Sequence, residues 1–411
     1  MLANTRKEAL QRLEVFLPHA GSYYAQERNF DRGPHLRDNV SLLSAAIQRR
    51  LISEEEVLQA VAGNHTLEAS EKFSQEVLWR SYWKSWLELR PSVWRLYQSS
   101  LKTLTNQNFP TFSQALSGQT GIQCFDFWRQ ELKETGYLHN HARMWFASIW
   151  IFTLNLPWEL GAHLFERELC DFDAASNTLS WRWVAGLQTP GKQYLATAKN
   201  IETFTTGRFC PKGELNETAA SLPYVPSTAE PLKEIFTPYL PSDKRSGLLV
   251  HSEDFSVETL DWGKFSPSSV AILDPELGSS PSLKSSPVLQ YNQGALKDTC
   301  ERVKSRFSAP VEVLNGRDLS KQVKQWAHQH KLEEIILLKP WQGHFKDHWD
   351  LLKGELAALS ITCRTLRRDY DKELAGKALS GFFTFKAELK PLWFRIQSPK
   401  GKVTIWEVKS N

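Results

Sequence analysis

Two segments of this 411-residue chain place polar side chains where helix periodicity calls for a buried face. The first reads Gly136-Tyr137-Leu138-His139-Asn140-His141-Ala142-Arg143-Met144. On a helix, Asn140, Arg143 and Met144 fall at i, i+3 and i+4 and share one side. The second reads Asp171-Phe172-Asp173, followed by Asn177, Trp181 and Trp183. Asp173 is spaced to cap a helix on which Asn177 and Trp181 again stack at i and i+4. A cation, two carboxylates, two amides and an indole exceed the polarity that an apolar helix core buries without a ligand. An internal Arg143–Asp171 ion pair capping two helices accounts for the same pattern, and spacing alone does not separate the two.

The elements that must hold these side chains are helices. Apolar residues recur at three and four positions in Lys7–Phe16, Asn39–Arg50, Ser53–Ala62, Glu68–Leu89, Cys124–Thr135, Asn140–Leu154 and Trp158–Leu169. Ser53 ahead of Glu54, Glu55 and Glu56 reads as an N-cap, and Pro91, Pro110 and Pro157 fall between helices. A Pro-rich stretch follows. Beyond it, short apolar runs at Gly247–His251, Val270–Leu273, Val311–Leu314, Glu334–Leu338 and Ile361–Arg364 alternate with helical patterns at Gly294–Phe307, Leu319–His330 and His348–Ser360. That alternation implies βαβ units and a mostly parallel, Rossmann-like sheet of five strands. The expected organisation is a helical domain over 1–210, a linker over 211–246, an α/β domain over 247–400 and a tail over 401–411. A Ser/Pro-rich loop is expected over Pro275–Pro287.

Composition narrows the classes. Hydrophobic residues make up 41% and charged ones 23%, the profile of a globular protein rather than a disordered or fibrous one. A net charge of +4 makes a weak electrostatic case for nucleic acid, so such binding must come from local patches. Five scattered cysteines without a CxxC pair argue against a zinc site or a disulfide framework and for a reducing, cytoplasmic compartment. The N-terminal MLANTRKEAL lacks the apolar stretch of a signal peptide. The apolar run Met144–Trp158 is shorter than the ~18 residues of a membrane span and reads as a core helix. A monomer without a membrane partner is expected. Sixteen tryptophans serve core packing by default, and also serve as stacking surfaces or electron relays.

GYLHNHARM followed by DxDxxxNxxxWxW resembles the flavin-binding domain of the photolyase/cryptochrome family. The resemblance extends to Tyr24-Ala25-Gln26-Glu27-Arg28, to Ser41-Leu42-Leu43-Ser44, to Glu76-Val77-Leu78-Trp79-Arg80 and to Gly118-Gln119-Thr120-Gly121, in the family's order across residues 10–210. It implies an FAD held in a U-shape. Tyr24 would lie beside it, and the Ser41, Leu42, Leu43 and Ser44 loop would hold its diphosphate. Arg80 and Asn140 would line the cavity. Arg143, Asp171 and Asp173 would grip the flavin edge, with the Asn177 amide facing flavin N5. Trp181 and Trp158 would begin an electron-transfer chain. Counting from the Gly118 turn puts Thr105 at the third position, which leaves Trp94, Trp86 and Trp150 as candidates.

The resemblance further implies splitting of cyclobutane pyrimidine dimers in DNA, driven by blue light through reduced FAD. Glu76 would bond the damaged bases, Trp79 would form a stacking wall, and Asn140 and Met144 match the cyclobutane-dimer pattern. Arg28, Glu76, Trp79 and Tyr137 would contact DNA, and Arg28, Lys192, Lys199 and Arg208 could form a phosphate rim. The alternative is a cryptochrome-like photoreceptor with a signalling partner and no repair. His141, where many repair enzymes have an arginine, and a loosely matching Val184–Thr203 favour it. The family places its α/β antenna domain first; here Gly247–Asp254 and the segments at Arg368–Asp371 and Gly381–Phe385 resemble its first strand, last strand and exit. A circularly permuted architecture is therefore expected, with a pterin or deazaflavin antenna left open. Sheet geometry alone would put a ligand near Ser252, Asp274 and Pro340.

Overall fold

The computed structural model describes residues 2–189, 191–277, 284–316, 318–397 and 405–410. Local signals set the helix starts of the first half. Thr5 caps α1 (Arg6–Phe16), and after α2 (Ser22–Glu27) and α3 (Ser44–Gln48) the Ser53–Glu56 capping box opens α4 (Glu54–Ala62). Thr66 caps α5 (Leu67–Glu88), and Pro91 is the first residue of α6 (Pro91–Leu104). Then come α7 (Phe112–Ser117), α8 (Gln123–Thr135), α9 (Asn140–Ser148), α10 (Trp158–Glu168), α11 (Ala174–Val184) and α12 (Ala198–Phe204). A π-helical turn at Ile149–Thr153 follows α9. Gly136 ends α8 at φ 66°, and a Cβ there would sit 2.6 Å from Cys170 Sγ, so only glycine closes this corner.

Among the described residues, the second half is a sheet of seven strands in the order β1-β7-β6-β5-β2-β3-β4: β1 Glu234–Pro238, β2 Ser246–Val250, β3 Ser269–Leu273, β4 Val311–Leu314, β5 Glu334–Leu338, β6 Thr362–Arg368 and β7 Ile405–Ser410. The five expected strands are mutually parallel from β4 to β6, while β7 and β1 add antiparallel at one edge. The expected five-strand sheet is thus corrected to seven mixed strands. β1 lies within the expected linker and β7 within the expected tail, because neither segment carries the apolar run that marks a central strand. Helices α13 (Ser286–Arg306), α14 (Leu319–Gln329) and α15 (His344–Ala358) connect the parallel strands. The middle of the Pro275–Pro287 loop lies outside the described residues.

After β6 the chain returns to the helical half through α16 (Asp369–Leu374), α17 (Phe382–Phe385) and α18 (Leu389–Gln397), which pack on α4 and α5. Of Arg368–Asp371, expected as the last strand, only Arg368 belongs to β6 and the rest opens α16, while the expected exit segment Gly381–Phe385 forms α17. Side chains at the end of α5 hold this strap by its carbonyls. Ser85 donates to Leu374 O, Tyr82 to Ser380 O, and Arg90 to Ala378 O and Leu379 O at 2.7–3.2 Å. No described helix is long and apolar enough to cross a membrane.

Candidate functional site

The two polar segments meet. Arg143 on α9 reaches Asp171 at the α10–α11 junction with Nη2 2.7 Å from Oδ2, and its Nε donates to Leu138 O. Ser44, at the start of α3, donates to the same carboxylate oxygen at 2.5 Å. The other oxygen, Asp171 Oδ1, is buried and has no hydrogen-bond partner. The Tyr137 ring lies between Arg143 and Arg37, with guanidinium carbons 5.1 and 4.8 Å from its centroid. Leu42, in the turn ahead of Ser44, adopts φ 55°, a conformation costly for a leucine and common where a loop is shaped for a task.

Asp173 caps α11 as its spacing predicts, accepting from Ser176 N at 2.9 Å. Its outer oxygen faces Arg80 at 3.2 Å and the buried Lys84 at 3.5 Å. Burial pushes the Asp173 carboxyl up, but Arg80 and Lys84 outweigh burial and hold it at about 2. Arg80 continues to Glu54, and Glu54 to Arg50, which also binds Asp254 and Asp371. Arg368 takes Asp254 with two nitrogens. Two cavities of about 10 Å³ each, the size of one water, lie along this seam between the helices and the sheet. Asp254 and Asp371 lie in segments read only for their strand resemblance, and nothing in the sequence pairs them, or Lys84, with the helical half, because the partners lie as many as 321 positions apart.

Asn177 is buried, and its amide donates to Ala162 O at 2.9 Å. Trp181 is buried against Gly161, where any Cβ would strike its ring at 2.3 Å. Its ring contacts are Phe165 and Trp150, and its indole N–H has no partner. Trp158 stacks on Tyr97, centroids 5.4 Å apart at 28°. Tyr24 is buried edge-on to Phe16 and Phe73, and burial raises its hydroxyl well above the usual range.

The residues expected to meet damaged bases are differently placed. Asn140 is exposed and Met144 half-buried, but Glu76 is ion-paired with Arg28. Trp79 lies flat against Phe382 of the strap, centroids 3.6 Å apart and planes 9° from parallel. A stacking wall at Trp79 is thus covered by the chain itself. The expected phosphate rim is largely neutralised: Arg28 pairs with Glu76, Arg208 with Asp31 and Lys199 with Glu202, while Lys192 is exposed. The two histidines beside Asn140 are structural. His139 accepts from His141 N and caps α9, and His141 stacks on Trp145 and bonds Asn29 O.

Burial drives His139 down from 6.5 to about 4, with Asp31 opposing. Its folded value therefore lies below its unfolded one. The stability it contributes is complete above pH 6.5 and is lost as pH falls toward 4. Replacing His139 with Gln should flatten the stability slope across that window by about 2–3 kcal/mol. Urea melts at stepped pH measure it, and an unchanged slope would assign the acid sensitivity elsewhere.

These residues fit the polar edge of a flavin dinucleotide. Arg143 supplies a cation and Asp171 an unpaired buried oxygen. Asn177 keeps its amide oxygen while its Nδ2 is taken by Ala162 O, and Ser44, which donates to Asp171, is an exposed residue.

Residues 73–239 match the family model described as the FAD binding domain of DNA photolyase. The chain is similar to the deoxyribodipyrimidine photo-lyase of Buchnera aphidicola, at 28% identity over 192 residues, 45% of this chain and 39% of that protein. It is also similar to the cryptochrome DASH of Idiomarina loihiensis, at 33% identity over 124 residues, 29% of this chain and 27% of that one. Among solved structures, a class III photolyase from Agrobacterium tumefaciens shares 26% identity at a TM-score of 0.40, covering 49% of this chain and 42% of that chain. The chain spans about two fifths of the length of the first curated relative it matches. The family model and the curated relatives support a photolyase/cryptochrome-type FAD-binding domain in the helical half.

Proposed function

We propose that the helical half binds FAD between α3, α9 and α11 and carries out light-driven one-electron chemistry. The observation that carries this reading is the Arg143–Asp171–Ser44 cluster with its unpaired buried carboxylate oxygen. Bound FAD would supply a blue-light-absorbing one-electron donor or acceptor. Arg143 and Asp171 would orient its ring, and Asp173, kept ionised by Arg80 and Lys84, would fix the end of α11 that presents Asn177. The deeply buried Trp181 would keep the inner face dry. As a consequence, Arg143→Ala should reduce FAD retention by roughly 10–100-fold, the scale of one charge-assisted bond. Absorbance of the purified protein and release of FAD on denaturation measure it. A well-folded wild type that takes up no FAD would end the proposal.

On that chemistry, the first output is splitting of cyclobutane pyrimidine dimers, with Glu76, Asn140 and Met144 as base contacts. A photoreceptor output is favoured by the Phe382 ring on Trp79 and the Arg28 pairing of Glu76, which engage two of those contacts within the chain. Illuminating reduced protein with dimer-containing oligonucleotides separates the two. We further propose that the α/β half is an antenna-type domain placed after its usual partner; its antenna pigment is not assigned.

A further inference from the structure

The turn after β5 reaches out of the α/β half and touches both ends of a buried ion pair in the helical half. Lys84, on α5, is 2% exposed, and its Nζ lies 3.5 Å from Asp173 Oδ2. The second cation on that oxygen, Arg80 at 3.2 Å, is shared with Glu54, which also binds Arg50. Lys84 makes its ion pair with Asp173. Burial, with Arg80 close by, pulls the Lys84 ammonium below its usual range, and Asp173 and Glu253 oppose that pull. A buried ammonium in this position needs further support to stay charged.

The turn supplies it. Trp341 places its ring 5.1 Å from Lys84 Nζ, a cation–π contact that favours the charged form without adding a negative charge. Trp341 is itself held. Its backbone N donates to Glu253 Oε2 at 2.9 Å, and the Arg367 guanidinium lies 5.0 Å from the same ring. Trp341 lines both water-sized cavities of the seam, so a smaller side chain there would widen them beside Lys84. Two residues on, Gly343 packs against the other end of the pair. A Cβ at Gly343 would sit 3.0 Å from Cβ of Ala174, the first residue of α11 and the neighbour of Asp173.

We propose that Trp341 is a positioning residue for the flavin site: it keeps the Lys84 cation on the Asp173 cap and, with Gly343, fixes the start of α11. The α/β half thereby sets the electrostatics at the end of the helix that presents Asn177. The consequence for bound FAD rests on the reading above, whereas the hold on Asp173 does not. At neutral pH Asp173 is ionised with or without Lys84. Losing the ammonium therefore leaves the site more negative and disfavours the addition of electrons to a flavin held there.

Two readouts test this. In FAD-free protein carrying carbon-13 in its aspartate side chains, Asp173 should stay ionised down to a pH of about 2. Lys84→Met should raise its midpoint by about one pH unit, the scale of one nearby opposite charge. Trp341→Leu should move it the same way by a smaller step, and Trp341→Phe, which restores a ring beside the ammonium, should return it toward the wild type. A merely structural tryptophan would lower stability without moving this midpoint. In FAD-loaded protein, the flavin reduction potential should fall in Lys84→Met and in Trp341→Leu and recover in Trp341→Phe. An Asp173 midpoint unchanged in Trp341→Leu overturns the proposal, and Trp341→Gln gives the same reading should the leucine variant not fold. A protein that takes up no FAD defeats the flavin reading alone and leaves the Asp173 titration to decide.

Discussion

Replacing Arg50 with methionine is expected to destabilise the whole protein by about 3–5 kcal/mol, the range for breaking a buried ion pair from one side. Arg50 is 3% exposed and lies among Glu54, Asp254 and Asp371. Losing the guanidinium leaves three carboxylates with too few cations, so the cost lies in the charges left behind more than in the bonds removed. The same seam sets an acid limit. Asp173 and Asp254 are each held at about 2 by neighbouring cations, against about 4 for an ordinary aspartate. Their folded values are depressed, so the stability they confer is complete above pH about 4 and fades as pH falls toward 2. Urea melts of the wild type and Arg50→Met at pH 7 measure the first effect. A loss below about 1 kcal/mol, the worth of a surface pair, would show that the network is hydrated in solution.

Phe382→Ala should cost about 3–5 kcal/mol through its cavity and should also uncover Trp79. Phe382 is 4% exposed and is wedged between Trp79 and Tyr82. Two consequences separate the proposed outputs. If the protein repairs cyclobutane dimers and the strap competes with bases for Trp79, the variant binds dimer-containing oligonucleotide more tightly than the wild type. If the strap is a permanent part of the fold and the output is signalling, the variant loses stability and gains no affinity. Phe382→Leu, which fills the space without a flat ring, guards against a trivial folding failure. Equal oligonucleotide affinity in all three proteins would remove Trp79 from any role in base stacking.

The local rules of the chain were legible before any fold. Ser53 and Asp173 announce helix starts because their side chains satisfy the first free N–H groups, a matter of three residues of spacing. Arg143 and Asp171 belong together because each is too polar for the apolar helices around it, and the parallel strands show as short β-rich runs. What spacing left open was whether Arg143–Asp171 is only an internal pair. The fold brings Ser44 to the same carboxylate oxygen and leaves the other buried and unpaired. The antiparallel strands β1 and β7 escaped detection because charged and polar residues such as Glu234, Glu407 and Lys409 interrupt any continuous apolar run in them. The fates of Trp79, Trp94 and Arg50 depend on Phe382, Asp347 and Asp371, partners hundreds of positions away that only chain folding brings within a few ångströms. Helix periodicity and capping are short-range and therefore readable along the chain, whereas the covering of a ring or the pairing of a buried charge is decided by which distant surface arrives there.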